Sequence, residues 1–204
     1  MGLRLITMNV CLMLKAPRPG FVKTRLARDL GDDEATAAYR SLVEVQMRAL
    51  PAAWDVHIAF APDDAAAEMR DWLGSHPNYF PQCDGDLGDR LTHAAQTIPG
   101  PLIFLGGDCP ELTTTRLEAA ATELESADIV IWPALDGGYC LLGIKKPIPA
   151  IFHGIAWGTE TVFGETLARI PTGLSVRQMS PALEDVDDLA SWQRALANGC
   201  MQTR

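Results

Sequence analysis

Four groups of residues in this sequence carry side chains suited to phosphate and metal chemistry. The first is Lys15-Ala-Pro-Arg-Pro-Gly20-Phe-Val-Lys23-Thr24-Arg25-Leu26. Gly20 permits close backbone approach to a ligand, and Pro17 and Pro19 stiffen the segment. Lys23 and Arg25 add a point charge and a planar fork matched to phosphate oxygens. Val22 stands where a Walker A loop needs glycine before Lys-Thr, which argues against a P-loop NTPase. Five of the 17 basic residues (Lys15, Arg18, Lys23, Arg25, Arg28) fall between positions 15 and 28 with no acid between them. A local cationic patch on a chain of net charge −9 points to a small anion rather than a polyanion.

The other three groups are acidic. In Gly106-Gly107-Asp108-Cys109-Pro110, a carboxylate beside two glycines can hold a hard cation such as Mg²⁺ without crowding a phosphate. Asp136-Gly137-Gly138-Tyr139 is either a tight turn or a second strand-end acid, serving as general base or further metal ligand. Glu184-Asp185-Val186-Asp187-Asp188 places four acids in five positions before the last helical stretch. One or two of them suit a helix N-terminus, but four repel one another unless a cation is near. Asp185 and Asp187 are therefore candidate metal ligands beside Asp108.

Such groups act together only if the fold gathers them, and the hydrophobic pattern indicates how. Leu5–Leu14 reads as a buried strand and Lys15–Gly20 as the loop after it. Apolar residues at Ala35, Ala38, Tyr39, Leu42, Val43, Met47 and Leu50 form a helix stripe broken by Gln46. Val56–Phe60 reads as a strand, the stretch near Asp63–Leu73 as a helix, and Asp86 as the cap of a helix buried through Leu87, Leu91, Ala94, Ala95 and Ile98. Arg90 lies on that same helix. Leu102–Leu105 is a short buried strand, followed by a helix with Thr115 and Glu118 as its capping box. Ile129–Trp132 and Cys140–Ile144 suit antiparallel neighbours. A helix near Glu160–Ile170, a strand near Leu174–Val176 and a helix near Asp187–Ala197 complete the chain. The expectation is one α/β domain over residues 1–204: a doubly wound, mixed, mostly parallel sheet with helices on both faces. In such sheets ligands bind at the carboxyl ends of strands where strand order reverses.

Composition narrows the classes further. The acidic balance excludes a general nucleic-acid or acidic-membrane binder. Five scattered cysteines without a C-x-x-C signal neither a disulfide framework nor a zinc site, consistent with a reducing cytoplasm. The first apolar run is too short for a membrane span and lacks a signal-peptide cleavage site. Met8, like Met1, precedes a good strand, so either is a compatible start. No heptad seam indicates an oligomer.

The ordered motifs K-x-P-x-P-G-x-V-K-T-R-L, G-G-D-C-P-x-L, D-G-G-Y-x-L-L-G and D-V-D-D-L resemble those of the bacterial radical-SAM/selenodomain-associated transferase 1 family, from Lys15 to about Leu189. That resemblance implies the GT-A fold of the nucleotide-diphospho-sugar transferase superfamily. It also implies a nucleotide-phosphate loop formed by Lys15, Gly20, Lys23 and Arg25, with Gly107 beside it. Asp108 would be the strand-end ligand of Mg²⁺ or Mn²⁺. One departure is that Gly106 occupies the first position of the Asp-x-Asp motif common among GT-A glycosyltransferases. Further ligands would have to come from Asp136, Asp185 or Asp187. The implied activity is glycosyl transfer from a nucleotide sugar to a small acceptor; Lys23 and Arg25 would stabilise the leaving diphosphate, and Asp136 is the candidate for general base or second metal ligand. Two alternatives stand beside it. The cationic loop also resembles that of 2-phospholactate guanylyltransferases, which implies nucleotidyl transfer from a nucleoside triphosphate. A non-catalytic nucleotide-sugar-binding subunit would keep the same residues.

Overall fold

In the computed structural model, which describes residues 8–201, the first strand is β1 (Asn9–Lys15). The start of the expected strand, Leu5–Thr7, and the segment ahead of Met8 lie outside the described residues. β1 is central and alternates sharply. Val10, Leu12 and Leu14 point into one core layer, while Cys11 points into the other. The first layer receives Tyr39 and Val43 from α2 (Asp32–Ala49), Met69 from α3 (Ala66–Leu73), and Leu117, Ala120, Ala121 and Leu124 from α5 (Thr114–Ser126). The second receives Leu91, Ala94 and Ala95 from α4 (Leu87–Thr97). Helices therefore cover both faces, as the apolar pattern implies.

The remaining strands are β2 (Asp55–Ala61), β3 (Asn78–Pro81), β4 (Leu102–Leu105), β5 (Ile129–Pro133), β6 (Tyr139–Ile144) and β7 (Val176–Gln178). Their order across the sheet is β3-β2-β1-β4-β6-β5-β7. β6 runs antiparallel to both neighbours, β4 and β5, and every other pairing is parallel. The chain builds outward from β1 to β3 and then crosses back to lay β4 on the other side of β1. The carboxyl ends of β1 and β4 thus lie side by side at the reversal, where Lys15 and Gly106 leave the sheet.

Two elements have no counterpart in the sequence pattern. α1 (Thr24–Leu30) is a two-turn helix with one fully buried residue, Leu26, too short to show periodicity. β3 has four residues, with only Tyr79 and Phe80 half-buried. The cap of α5 is Thr113, whose hydroxyl accepts from the Arg116 amide at 3.4 Å; Thr115 and Glu118 sit inside the helix. α4 begins as expected, with Asp86 and Asp89 forming a reciprocal capping box. The remaining helices are α6 (Val162–Ala168) and α7 (Leu189–Ala197). Among the described residues no helix is long and apolar enough to cross a membrane.

Candidate functional site

The loop leaving β1 turns sharply before α1. Arg18 C=O accepts from the Phe21 amide at 3.0 Å, with Pro19 and Gly20 at the corner. The left-handed φ of Gly20 (79°) is what the third position of a Pro-Gly turn requires. The same turn leads to Lys23, the N-cap of α1, which adopts a left-handed backbone at φ 46°. A side-chain-bearing residue is uncommon there and costs of order 1 kcal/mol or more. The side chain shows what offsets that cost.

Lys23 Nζ lies 3.0 Å from Asp108 Oδ2 and 2.8 Å from Asp187 Oδ1, and the side chain is only 6% exposed. Burial works against its charge, but attraction to Asp108 and Asp187 and its hydrogen bonds to both prevail. The ammonium pKa is therefore held above the ordinary lysine range. Arg25 stands further out, with Nη1 at 3.6 Å from Asp187 Oδ2 and 65% of its side chain exposed. Lys15, Lys23, Arg25, Gly106, Asp108 and Asp187 line a common cavity of about 380 Å³ at the β1/β4 strand ends. Tyr39 reaches it from α2, its hydroxyl bonded to both the amide and carbonyl of Lys15.

Two acids far along the chain reach this place because the segment before α7 is strapped across the ends of β4 and β5. Trp132 Nε1 donates to Pro181 C=O at 2.7 Å, Leu183 bridges Ala134, and the Val186 amide donates to Asp108 C=O at 3.0 Å. Each of the four clustered acids then has its own role. Glu184 makes a bidentate pair with Arg194, its closest contact 2.6 Å. Asp188 caps α7 through the Ser191 amide at 2.8 Å. Asp185 and Asp187 turn toward Asp108, and one carboxylate oxygen from each of the three lies within 4.8 Å of the others. That span and three hard oxygen donors suit a divalent cation of the Mg²⁺ or Mn²⁺ type.

Burial, with Asp108, Asp136 and Asp187 nearby, pushes the Asp185 carboxyl up to about 7. A raised acid stabilises the fold while protonated, so this contribution is present at low pH and is lost as pH rises through 7. A divalent ion needs the ionised form and competes with that proton. Manganese affinity is therefore expected to rise roughly tenfold per pH unit below 7 and to level off above it. Titration calorimetry between pH 5.5 and 8.5 checks this, and a flat profile would contradict it.

The remaining candidates are placed differently. Gly107 faces inward, where a Cβ would meet Leu14 Cδ2 at 2.8 Å and Val43 Cγ2 at 3.3 Å. Its φ of 81° adds to that demand, so close packing beneath the loop explains the glycine, and Gly106 is the one on the cavity wall. Asp136 is exposed, accepts from the Gly138 amide at 2.8 Å, and lies outside the three-carboxylate cluster, though near enough to raise Asp185. The sequence pattern does not mark Tyr39 or Gln82 as site residues. Gln82 is buried directly after β3, and an amide ending a strand of aromatic residues was the available signal.

A family model described as "Uncharacterized protein conserved in bacteria (DUF2064)" matches residues 45–159. A crystal structure of a protein from Desulfovibrio desulfuricans G20, provisionally assigned as a nucleotide-diphospho-sugar transferase, is 33% identical. The match covers 94% of this chain and 87% of that one, with a TM-score of 0.84. At 10% identity, the 4-diphosphocytidyl-2C-methyl-D-erythritol synthase of Anaerococcus prevotii DSM 20548 shares the fold, with a TM-score of 0.60 over 94% of this chain and 96% of that one. A manganese complex of a Mycobacterium tuberculosis H37Rv protein does so at 15% identity, with a TM-score of 0.57 over 93% and 98%. No curated protein matches the chain.

Proposed function

This chain belongs to the DUF2064 family, and we propose that it is a metal-dependent transferase that takes its donor group from a nucleotide diphospho-sugar. The observation that carries this reading is the meeting of Lys15, Lys23 and Arg25 with Asp108, Asp185 and Asp187 at one reversal of strand order. In this reading Asp108, Asp185 and Asp187 would hold the ion. Bound there, Mg²⁺ or Mn²⁺ would neutralise charge on the leaving diphosphate. Lys23 would pass from its two carboxylates to a phosphate oxygen, and Arg25 would clamp the outer phosphate with its planar fork. Asp136, exposed on the neighbouring loop, would take the proton of the acceptor hydroxyl.

The charge balance favours a diphosphate over a triphosphate. Three cationic side chains and three carboxylates cancel, so one divalent ion leaves a net charge of about +2. That matches the doubly negative diphosphate of a nucleotide sugar and falls short of the roughly four charges on a free triphosphate. The second reading, nucleotidyl transfer, is favoured by the density of cations directly after β1, and the synthase from Anaerococcus prevotii shares the fold. Calorimetry with nucleotide sugars and nucleoside triphosphates, each with Mn²⁺, separates the two. Tighter, metal-dependent binding of a nucleotide sugar is the expected result. Preference for a triphosphate would move the assignment to nucleotidyl transfer, and no binding by either class would overturn both.

A further inference from the structure

A second cavity, of about 640 Å³, opens beside the first along the ends of β1, β2 and β3, and the two share Lys15 and Phe21 as walls. Phe21 is 58% exposed, so an aromatic face stands at the seam. The floor is built around Gln82. Its amide group donates to Leu14 C=O at 3.1 Å and Ala59 C=O at 2.8 Å, tying it to β1 and β2. With its donors committed, its carbonyl oxygen has one orientation, and it accepts from Arg90 Nη1 at 3.2 Å. Arg90 is thereby held against the cavity wall. Its Nε is buried without a hydrogen-bond partner, and it has no ion pair among the described residues. A half-buried guanidinium supported by a neutral amide and lacking a carboxylate is an unfilled donor set. The same cavity is also lined by Asp63, Asp64 and Asp84. Arg18 engages Asp64 at 3.0 Å, whereas Asp84 makes no hydrogen bond among the described residues.

We infer that this cavity selects guanine as the base of the donor nucleotide, with Arg90 donating to O6 and N7 and Asp84 accepting from N1–H and the 2-amino group. The inference rests on the nucleotide-binding role proposed for the adjoining site. Guanine presents a bidentate acceptor edge to a planar guanidinium, the commonest specific arginine–base pairing, and an adjacent pair of N–H donors to a carboxylate. Adenine places its 6-amino donor beside N7, so the guanidinium would face a donor. Uracil and cytosine lack the paired donors a carboxylate needs. Phe21 supplies a face on which the ring stacks.

The test is calorimetric binding of GDP, IDP, ADP, CDP and UDP to the full chain with Mn²⁺, with pyrophosphate as a base-free control. GDP is expected to bind at least about tenfold more tightly than ADP, CDP or UDP, with IDP, which lacks the 2-amino group, in between. Arg90→Gln should reduce the preference for GDP over ADP, the remainder being lost when Asp84 is replaced as well, and Asp84→Ala should erase the preference for GDP over IDP. Both variants should bind pyrophosphate as the parent does, which shows that the phosphate site is intact. Equal binding of all five nucleotides, or a GDP preference that survives both substitutions, would overturn the base assignment and leave the nucleotide site standing. Failure of every nucleoside diphosphate to bind would overturn the nucleotide reading along with it.

Discussion

Replacing Lys23 with methionine is expected to tighten the binding of manganese alone while weakening the binding of any nucleotide. The Lys23 ammonium lies between Asp108 and Asp187, at 3.0 and 2.8 Å, where a cation would also be drawn. An incoming ion must displace it, so its removal leaves two carboxylates without a counter-charge and raises metal affinity by roughly tenfold or more. The same loss destabilises the metal-free fold. Breaking a fully buried pair costs about 3–5 kcal/mol. Asp108 and Asp187 are 30% and 40% exposed, so solvent screening reduces that to roughly 2 kcal/mol. For a chain of this size that is a fall in melting temperature of about 4–8 °C, recovered when manganese is added. Thermal unfolding with and without manganese measures it. An unchanged melting temperature and unchanged manganese affinity would contradict a counter-ion role for Lys23.

Asp108→Asn tests the opposite partner and should be more damaging to function. Asp108 leaves β4 at the reversal of strand order, is joined through its carbonyl to Val186, and belongs to both the three-carboxylate cluster and the Lys23 pair. Loss of its charge should lower manganese affinity by roughly a hundredfold and abolish metal-dependent donor turnover, a loss on the order of a thousandfold. Asp136→Asn should behave differently. Because Asp136 lies outside the cluster, its loss should reduce turnover with little change in manganese affinity, as befits a base. The ratio of donor turnover to manganese affinity across the two variants separates the roles. Equal losses of manganese affinity would place Asp136 among the ligands.

Much of this arrangement is legible in the sequence because strong local signals coincide with the elements that position the site. Val10 to Leu14 and Leu102 to Leu105 are apolar runs bounded by loop chemistry, and both are central strands. The four acids at 184–188 raise a repulsion problem whose physical solution is nearby cations, and these are Arg194 for Glu184 and, for Asp187, Lys23, more than 150 residues away in sequence. What is not legible is the strap that carries those acids to Asp108. It is held by backbone and Trp132 contacts across the sheet, which no local pattern encodes. α1 and β3 are hidden because seven and four residues are too few to reveal a period. Gly107 shows a different limit: its residue type suggests approach to a ligand, but its constraint comes from Leu14 and Val43 beneath it. Gln46 interrupts an apolar stripe, yet it is buried: its amide nitrogen donates to Leu112 C=O at 3.3 Å while its carbonyl oxygen has no partner among the described residues, so a core-facing polar residue reads as a break in the helix face.

The most direct test of the account is an anomalous-scattering map at the manganese edge from crystals grown with Mn²⁺ and a nucleoside diphosphate. A peak is expected at bonding distance from carboxylate oxygens of Asp108, Asp185 and Asp187, with Lys23 turned from the carboxylates onto a phosphate oxygen. A manganese peak elsewhere, or diphosphate density away from the cavity between β1 and β4, would contradict it.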